Sequence, residues 1–275
     1  MQNGVKMMAQ VLTASEITET ARELADWLDA YTYPECREAC QWIIRQNGDP
    51  ELAEEYANRF FKADGKQELP GAVGEFVIAL YETAITLTES SAAMLNLGAF
   101  RYIGRGCEQD YAKALEYYEM AAEHGEIIAL ENLGYCYYYG RSVEVDYEKA
   151  YYYFSQAAML GRPISLYKVG DLYRYGKYLP QNDNLAFDFY QRSLACLDDD
   201  TAGSAAGPVL LRLGDCHLTG IGTEPDAKQA LVCYQAAEQH LYDMVADGDY
   251  LYRGSLQKAV EGQEKARQVL RQEIG

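Results

Sequence analysis

The chain has 275 residues and carries 24 Lys+Arg against 42 Asp+Glu, a formal charge of −18. A hydrophobic fraction of 49% is enough for a large core and excludes a disordered chain. So acidic a molecule repels phosphate backbones and anionic lipid, which sets nucleic acid and membrane surfaces aside as partners and leaves protein, peptide or small molecule.

Met1 to Ala14 holds a single Lys6 and a broken apolar stretch, without the apolar segment and small-residue cleavage site of a secretory signal. No later stretch approaches the ~18 consecutive apolar residues of a membrane-spanning helix. Seven cysteines, odd in number and scattered, read as reduced thiols and not as a disulfide framework. The expectation is a soluble cytoplasmic protein. Amphipathic helices are expected at about 16–31, 35–47, 51–63 and 74–89. Pro34, Asn47-Gly48-Asp49-Pro50 and the stretch from Asp64-Gly65 to Gly71 supply the breaks. Ile17 to Ile44 reads as an N-terminal cap, and the pair 51–63 and 74–89 as a worn copy of a helical unit that recurs further along the chain.

From residue 95 onward the chain repeats. Leu97-Gly98, Leu133-Gly134, Val169-Gly170 and Leu213-Gly214 recur at intervals of 36, 36 and 44 residues (98 to 134, 134 to 170, 170 to 214). Each is followed in fixed register by a second glycine, Gly104, Gly140, Gly176 or Gly220, then by Asp110, Asp146, Asn182 or Asp226, then by Ala114, Ala150, Ala186 or Ala230. Aromatic pairs close the first three units, Tyr117-Tyr118, Tyr153-Phe154 and Phe189-Tyr190, and Cys233-Tyr234 closes the fourth.

One unit is a helical hairpin. The first helix ends at the second glycine, which suits a left-handed C-cap, and the Asp or Asn is the natural N-cap of the second helix. The first glycine sits inside a helix, where it costs about 1 kcal/mol relative to Ala, so its recurrence predicts a neighbouring helix too close for a Cβ. A lone hairpin cannot bury its apolar face, so copies must stack.

The run Leu-Gly-x-x-Tyr-x-x-Gly, Asp-Tyr-x-Lys-Ala-x-x-Tyr-Tyr, Ala-Ala-x-x-Gly resembles the Sel-1-like repeat, a relative of the tetratricopeptide repeat. Residues 131–161 match it most closely, through Leu133, Gly134, Tyr137, Gly140, Asp146, Tyr147, Lys149, Ala150, Ala157, Ala158 and Gly161. Residues 95–125 come next, with Arg101 in place of the usual Tyr. The third unit departs at Leu185 and the fourth at His217. The resemblance implies an all-α, right-handed superhelical solenoid of stacked helical hairpins. Its layout is a cap and degenerate repeat over 1–90, repeats at about 91–126, 127–162, 163–206 and 207–241, and a degenerate capping repeat over 242–275. In that last segment Gly248 and Gly254 repeat the spacing, and Lys265-Ala266 mimics the start of a second helix. The longer third interval is assigned to an exposed loop from Leu197 to Pro208.

No residue set points to catalysis. Cys36 and Cys40 share a helix face, but a structural zinc site needs four ligands and no second pair exists, so packing is the better reading. Cys136 and Cys216 fall in an apolar repeat slot. His124 ends a helix, where a cap or dipole role fits. His217 stands in for a packing Tyr, and its neighbour Cys216 points about 100° away, so the two are no nucleophile and base. Gly104-Arg105-Gly106 lacks the strand and the third glycine of a phosphate loop. Asp198-Asp199-Asp200 lacks a calcium-loop pattern. No cofactor, metal or catalytic residue is assigned. Bacterial relatives with a regular Cys pair per repeat are secreted proteins linked to β-lactam binding, but that pairing is missing here.

The 25 Tyr, against 7 Phe and 2 Trp, are roughly three times ordinary usage. By the resemblance, the first helix of each hairpin lines a concave surface through positions three before and one, four and five after the repeat glycine. These are Leu95, Ala99, Tyr102 and Ile103; Glu131, Tyr135, Tyr138 and Tyr139; Tyr167, Asp171, Arg174 and Tyr175; and Leu211, Asp215, Leu218 and Thr219. Tyr offers large rigid area with a polar tip and is favoured at interfaces. Tyr117, Tyr118, Tyr137 and Tyr173 are assigned instead to inter-helix packing. The expectation is a non-enzymatic interaction scaffold whose Tyr-rich face, with Glu131, Asp171 and Asp215, holds a basic or amide-rich segment of a protein partner. The alternatives are an acidic, immunity-type inhibitor masking a basic partner surface and, third, a hydrolytic enzyme.

Overall fold

The computed structural model describes residues 11–63 and 68–274. The expected absence of a signal ahead of Val11 and the Asp64-Gly65 break lie outside them. The described residues form thirteen α-helices and two short 3-10 turns, with no strand among them. They fall into two compact units: the first runs up to Asn132 and takes in Arg141–Val143, and the second comprises Leu133–Gly140 and everything from Glu144.

Unit 1 opens with α1 (Ala14–Trp27) and α2 (Pro34–Arg45), followed by a 3-10 turn at Pro50–Leu52, α3 (Ala53–Lys62) and α4 (Gly71–Thr88). The four helices expected from pattern are present with ends shifted by a few residues. A capping box starts α1: Thr13 Oγ1 accepts the Glu16 N–H, and the Glu16 carboxylate accepts the Thr13 N–H. Ile17, Ile43, Tyr56, Phe60, Val77 and Tyr81 meet in the unit's core, with Trp42 edge-on to Tyr56 at 5.3 Å.

Helix α4 has no run of ~18 consecutive apolar residues but is the most apolar helix of this unit. It is long and apolar enough to cross a membrane on those two properties alone. Glu75 and Glu82 interrupt its apolar run but do not outweigh the Val, Ile and Leu around them. Its Val73, Phe76, Val77, Leu80 and Tyr81 are buried in the core of this unit.

The first repeat is α5 (Ser91–Ile103) packed on α6 (Tyr111–Glu123), followed by α7 (Ile127–Tyr139), of which residues 127–132 belong to unit 1. Unit 2 continues with α8 (Tyr147–Met159), α9 (Pro163–Arg174), α10 (Asp183–Ala195), α11 (Asp199–Thr219), α12 (Ala227–Ala246) and α13 (Arg253–Ile274). Hairpins α9–α10 and α11–α12 stack through α10 and α11, and α13 lies on α12.

The repeat glycines are where helices come closest. A Cβ on Gly98 would sit 2.7 Å from the Tyr118 ring, on Gly134 2.6 Å from Phe154, on Gly170 2.6 Å from Tyr190, and on Gly214 2.8 Å from Tyr234. Real Cβ atoms do not tolerate such separations, so the aromatic residue of the second helix uses the space that the missing side chain leaves. The second glycines Gly104, Gly140, Gly176 and Gly220 are all left-handed. Asp110, Asp146, Asn182 and Asp226 each cap the second helix by accepting a backbone N–H, from Lys113, Lys149, Leu185 and Gln229 respectively.

Two expectations are corrected here. The stretch Leu197 to Pro208 is not an exposed loop, because from Asp199 onward it is the first part of α11, capped at Asp198 by a box with Thr201. The added residues are small (Ala202, Gly203, Ser204, Ala205, Ala206, Gly207), so this end lies close to the extended end of α12: Ala205 and Ala206 are buried, and a Cβ on Gly207 would sit 2.8 Å from Leu241. The extra residues of the 44-residue interval therefore lengthen α11, which packs along an α12 that is itself extended beyond Gly214. The C-terminal segment is not a fifth hairpin either. Residues 242–246 finish α12, and Lys265-Ala266 lies in the middle of one continuous helix, α13, which buries Ala259, Gly262, Gln263 and Ala266.

Candidate functional site

The repeat-face positions differ from one another far more than the glycine seam does. In unit 1, Leu95 and Glu131 are buried, Ala99 is half-buried and Ile103 is exposed. Tyr102 is half-buried with its ring edge-on to Tyr111 at 4.9 Å. Glu131 thus does not stand exposed on a face.

In unit 2 the expected tyrosines converge, but around a cation of the chain itself. Lys168, on α9 and only 5% exposed, donates to the Tyr139 hydroxyl at 2.8 Å. Its ammonium lies 5.0 Å from the ring centres of Tyr135 and Tyr139, 4.9 Å from Tyr138 and 5.7 Å from Tyr167. Negative ring faces turned on a desolvated cation are each worth on the order of 0.5–2 kcal/mol, so the four rings form a box that Lys168 already fills. Lys177, just beyond α9, reaches the other side of the cluster: it donates to the Tyr138 hydroxyl at 3.2 Å and lies 4.6 Å from the Tyr138 and Tyr147 rings. Tyr138 and Tyr167, expected to be exposed, are therefore buried.

Asp171 is likewise no surface acid. It is buried and held by a bidentate Arg212, with Nε to Oδ1 at 2.7 Å and Nη2 to Oδ2 at 2.6 Å, while the Tyr190 hydroxyl donates to Oδ1 at 2.8 Å. Burial alone would push its carboxyl up, but Arg212, Lys168 and Tyr190 together hold it below the ordinary carboxylate range. Arg212 also donates to the Pro208 carbonyl at 2.8 Å and lies 4.5 Å over the Tyr167 ring. Asp215 accepts the Tyr234 hydroxyl at 2.8 Å and has Arg174 at 3.7 Å. Of the acidity expected here, Asp171 is consumed internally, whereas Asp215 keeps 42% of its side chain exposed.

What remains open is a rim. Tyr139 is 50% exposed and Tyr175 58% exposed, at equivalent positions of α7 and α9. Thr219 holds the same repeat slot on α11 and is exposed, with Leu218 half-buried beside it.

Lys168, Lys177 and Arg212 were not among the residues expected here, although one signal pointed to two of them. Lys168 and Arg212 hold the slot two before the repeat glycine, where the first repeat has Asn96. In each case that residue bridges to the preceding hairpin: Asn96 to Asn58 at 2.9 Å, Lys168 to Tyr139, Arg212 to Asp171. A charged residue recurring inside an otherwise apolar helix was the mark of that role.

The cysteine and histidine positions serve packing and capping. Cys36, Cys40, Cys136 and Cys216 are buried, with burial pushing the Cys40 and Cys216 thiols up to about 12. His124 is the C-cap of α6, its Nδ1 2.8 Å from the Met120 carbonyl. His217 packs edge-on against Phe187 at 5.4 Å. Among the described residues no three His, Cys, Asp or Glu side chains gather as a metal site.

Stacked hairpins with a glycine-to-aromatic seam and a capped second helix define an α-helical repeat protein. The Sel1 repeat model matches residues 91–126, 127–161, 163–196 and 208–239, and over these four repeats the chain belongs to the Sel1 repeat family. Among solved structures, a Sel1 repeat protein from Oxalobacter formigenes is similar with a TM-score of 0.59 and 19% identity over 92% of this chain and 99% of that one. A protective antigen present in uropathogenic Escherichia coli strains, described as displaying the SLR fold, also gives 0.59, with 22% identity over 93% of this chain. This chain spans 54% of that antigen's length. No curated protein matches the chain in sequence.

Proposed function

We propose that the protein is a non-catalytic interaction scaffold that holds a segment of a partner protein against the α7, α9 and α11 face of unit 2. Sel1 repeats as a class support protein–protein interaction, and the reading builds on that. The observation that carries it is the contrast between a fixed interior and an open rim. Tyr135, Tyr138 and Tyr167 are immobilised around Lys168, while Tyr139 and Tyr175 keep half or more of their surface in water. Rigid, pre-organised aromatic area lowers the ordering cost of binding. The free thiols of the chain support a reducing, cytoplasmic setting.

The preference for a basic or amide-rich segment, which rests on Glu131, Asp171 and Asp215, loses Glu131 and Asp171, both buried, and keeps only Asp215, whose side chain is 42% exposed. The test is affinity capture with wild type and with Tyr139→Ala plus Tyr175→Ala. Tyr139 also accepts from the buried Lys168 ammonium, so the double variant should melt below wild type while keeping its helical fold and should lose its specific partners; Tyr175→Ala alone, which removes an exposed ring and no hydrogen bond, should melt as wild type does and weaken the same capture. Retention of the same partners would sink this face as the binding surface. Capture that survives the substitutions but vanishes at high salt would move the reading to charge masking, because exposed charges are screened within about 10 Å at 0.1 M salt.

A further inference from the structure

The position two residues after the second glycine of each repeat is left-handed in all four copies: Gly106, Ser142, Tyr178 and Gly222, with φ from 60° to 73°. In the first and fourth copies it is glycine, and a Cβ there would run into Leu69 or the Asp183 carbonyl. In the third it is Tyr178, at φ 66°. A bulky residue in this region is strained, and such strain gathers where a function uses it. Core packing does not hold it, because Tyr178 is 52% exposed. Its hydroxyl donates to Glu148 Oε1 on α8 at 3.1 Å, and its ring lies 5.8 Å from the Tyr151 ring, tilted by 45°. Glu148 is exposed, and Tyr152, one turn further along α8, is 59% exposed.

This edge differs from the surroundings of Lys168 in its electrostatics. Asp171 is held by a bidentate arginine, whereas Glu148 accepts from a neutral phenol. The cations beside it in sequence are engaged with other rings: Lys149 lies 4.7 Å from the Tyr137 centre, and Lys177 lies 4.6 Å from those of Tyr138 and Tyr147. A carboxylate has about four acceptor sites, so Glu148 can take further donors while Tyr178 steadies it beside the ring pair. A guanidinium uses both features, stacking its face on an aromatic ring and forking its edge onto a carboxylate.

We infer that Tyr178, Tyr151, Tyr152 and Glu148 form a second docking surface, which receives an arginine side chain of a basic partner segment. It shares no residue with the rim of Tyr139 and Tyr175. The −18 charge of the chain draws cationic segments over long range, and the strained Tyr178 places a ring beside a carboxylate where two of the other repeats have only glycine.

The test measures fluorescence anisotropy of labelled, end-blocked hexaarginine and hexalysine peptides in about 0.15 M salt, where the screening length is about 8 Å. Hexaarginine is expected to bind saturably and more tightly than hexalysine. Tyr178→Gly leaves the net charge intact and should weaken hexaarginine about two- to fivefold, the factor of one exposed cation–π contact. It should not lower the melting temperature, since it installs the residue that the first and fourth repeats use at this left-handed position. Glu148→Gln, which keeps an acceptor for the Tyr178 hydroxyl, should weaken hexaarginine as well. Equal binding of the two peptides, or a Tyr178→Gly protein that binds as wild type does, overturns the inference; a lowered melting temperature with unchanged affinity would assign Tyr178 to packing. Tyr175→Ala should bind hexaarginine as wild type does, and a loss there would move the basic ligand to the α7, α9 and α11 face and overturn it too. Partners kept by the Tyr139 and Tyr175 variant but lost by Tyr178→Gly would remove the scaffold face and leave this surface standing.

Discussion

The seam between the two helices of each hairpin and the face formed by the first helices alone lie on opposite sides of the same residues, and they behave differently. At the seam, all four copies solve one problem in one way: a glycine meets an aromatic ring at a hypothetical Cβ distance of 2.6–2.8 Å, and an Asp or Asn caps the next helix. Two residues before that glycine the copies diverge: the first two carry Asn96 and Asn132, the third and fourth a cation. The first repeat bridges to its neighbour with Asn96, the third with Lys168 inside four tyrosines, the fourth with Arg212 on a buried carboxylate. The contact inside each hairpin is constant, whereas the side chain that reaches back to the preceding hairpin is not.

The sharpest way to break that contrast is to show that a face residue also holds the fold. Replacing Arg212 with Ala strands the Asp171 carboxylate in the interior, and breaking one partner of a buried pair costs about 3–5 kcal/mol. Chemical denaturation at neutral pH should show this as the largest single loss in unit 2. The pair also fixes the sign of a pH effect. Asp171 titrates below its ordinary value in the folded chain, so its stabilisation is fully present above the unfolded carboxylate range near pH 4, and is lost as pH falls through the folded value. In Arg212→Ala the stranded carboxylate is relieved by a proton, so the gap between variant and wild type should narrow on acidification. A gap that stays constant with pH would show that Asp171 is not the group responsible.

The same contrast explains what could be read from the chain before folding. The seam was legible because its constraints are local and repeated: glycine spacing, cap position and aromatic pairs all recur in register. The extended hairpin was misread because Asp198-Asp199-Asp200 and the Gly/Ala/Ser run after it look like loop composition, whereas Ala205, Ala206 and Gly207 are small so that helices can approach. The face was half legible. Helix projection groups tyrosines of α7 with Tyr167 of α9 and its C-cap Tyr175, but gives no sign that the cation at their centre is Lys168 of the chain itself. Whether Tyr138 meets solvent or Lys168 depends on a residue a full repeat away. Helix projection carries no information at that distance.

Gly170→Ala tests the seam with the next largest effect. The added carbon would meet Tyr190 at 2.6 Å, and that ring is fully buried and tied by its hydroxyl to Asp171, so it has nowhere to go. Overpacking of this kind costs about 1–3 kcal/mol. Gly71→Ala is the opposing control: it lies at the start of α4, has nothing within 4 Å of a new Cβ and no left-handed φ. It should stabilise by about 0.4–1 kcal/mol through the unfolded chain. Thermal melts that rank the two alike would mean the repeat glycines are there for backbone freedom and not for close packing.

The smallest effect bears on whether the seam is equivalent in the two units. Asp226 caps α12 by accepting from both Lys228 and Gln229 at 2.9 Å, and Asp110 caps α6 by accepting from Lys113 at 3.0 Å. Removing an N-cap carboxylate leaves first-turn N–H groups to water and costs about 1 kcal/mol, within a range of roughly 0.5–2. Both positions are solvated, so the lost donors can be rehydrated and neither replacement leaves a cavity. Asp110→Ala and Asp226→Ala should therefore lose similar amounts in urea denaturation, the second slightly more for its extra contact. Neither loss should match that of Arg212→Ala. A cap effect as large as the Arg212 effect would erase the distinction between seam and face, since an exposed hydrogen bond would then weigh as much as a buried charge pair.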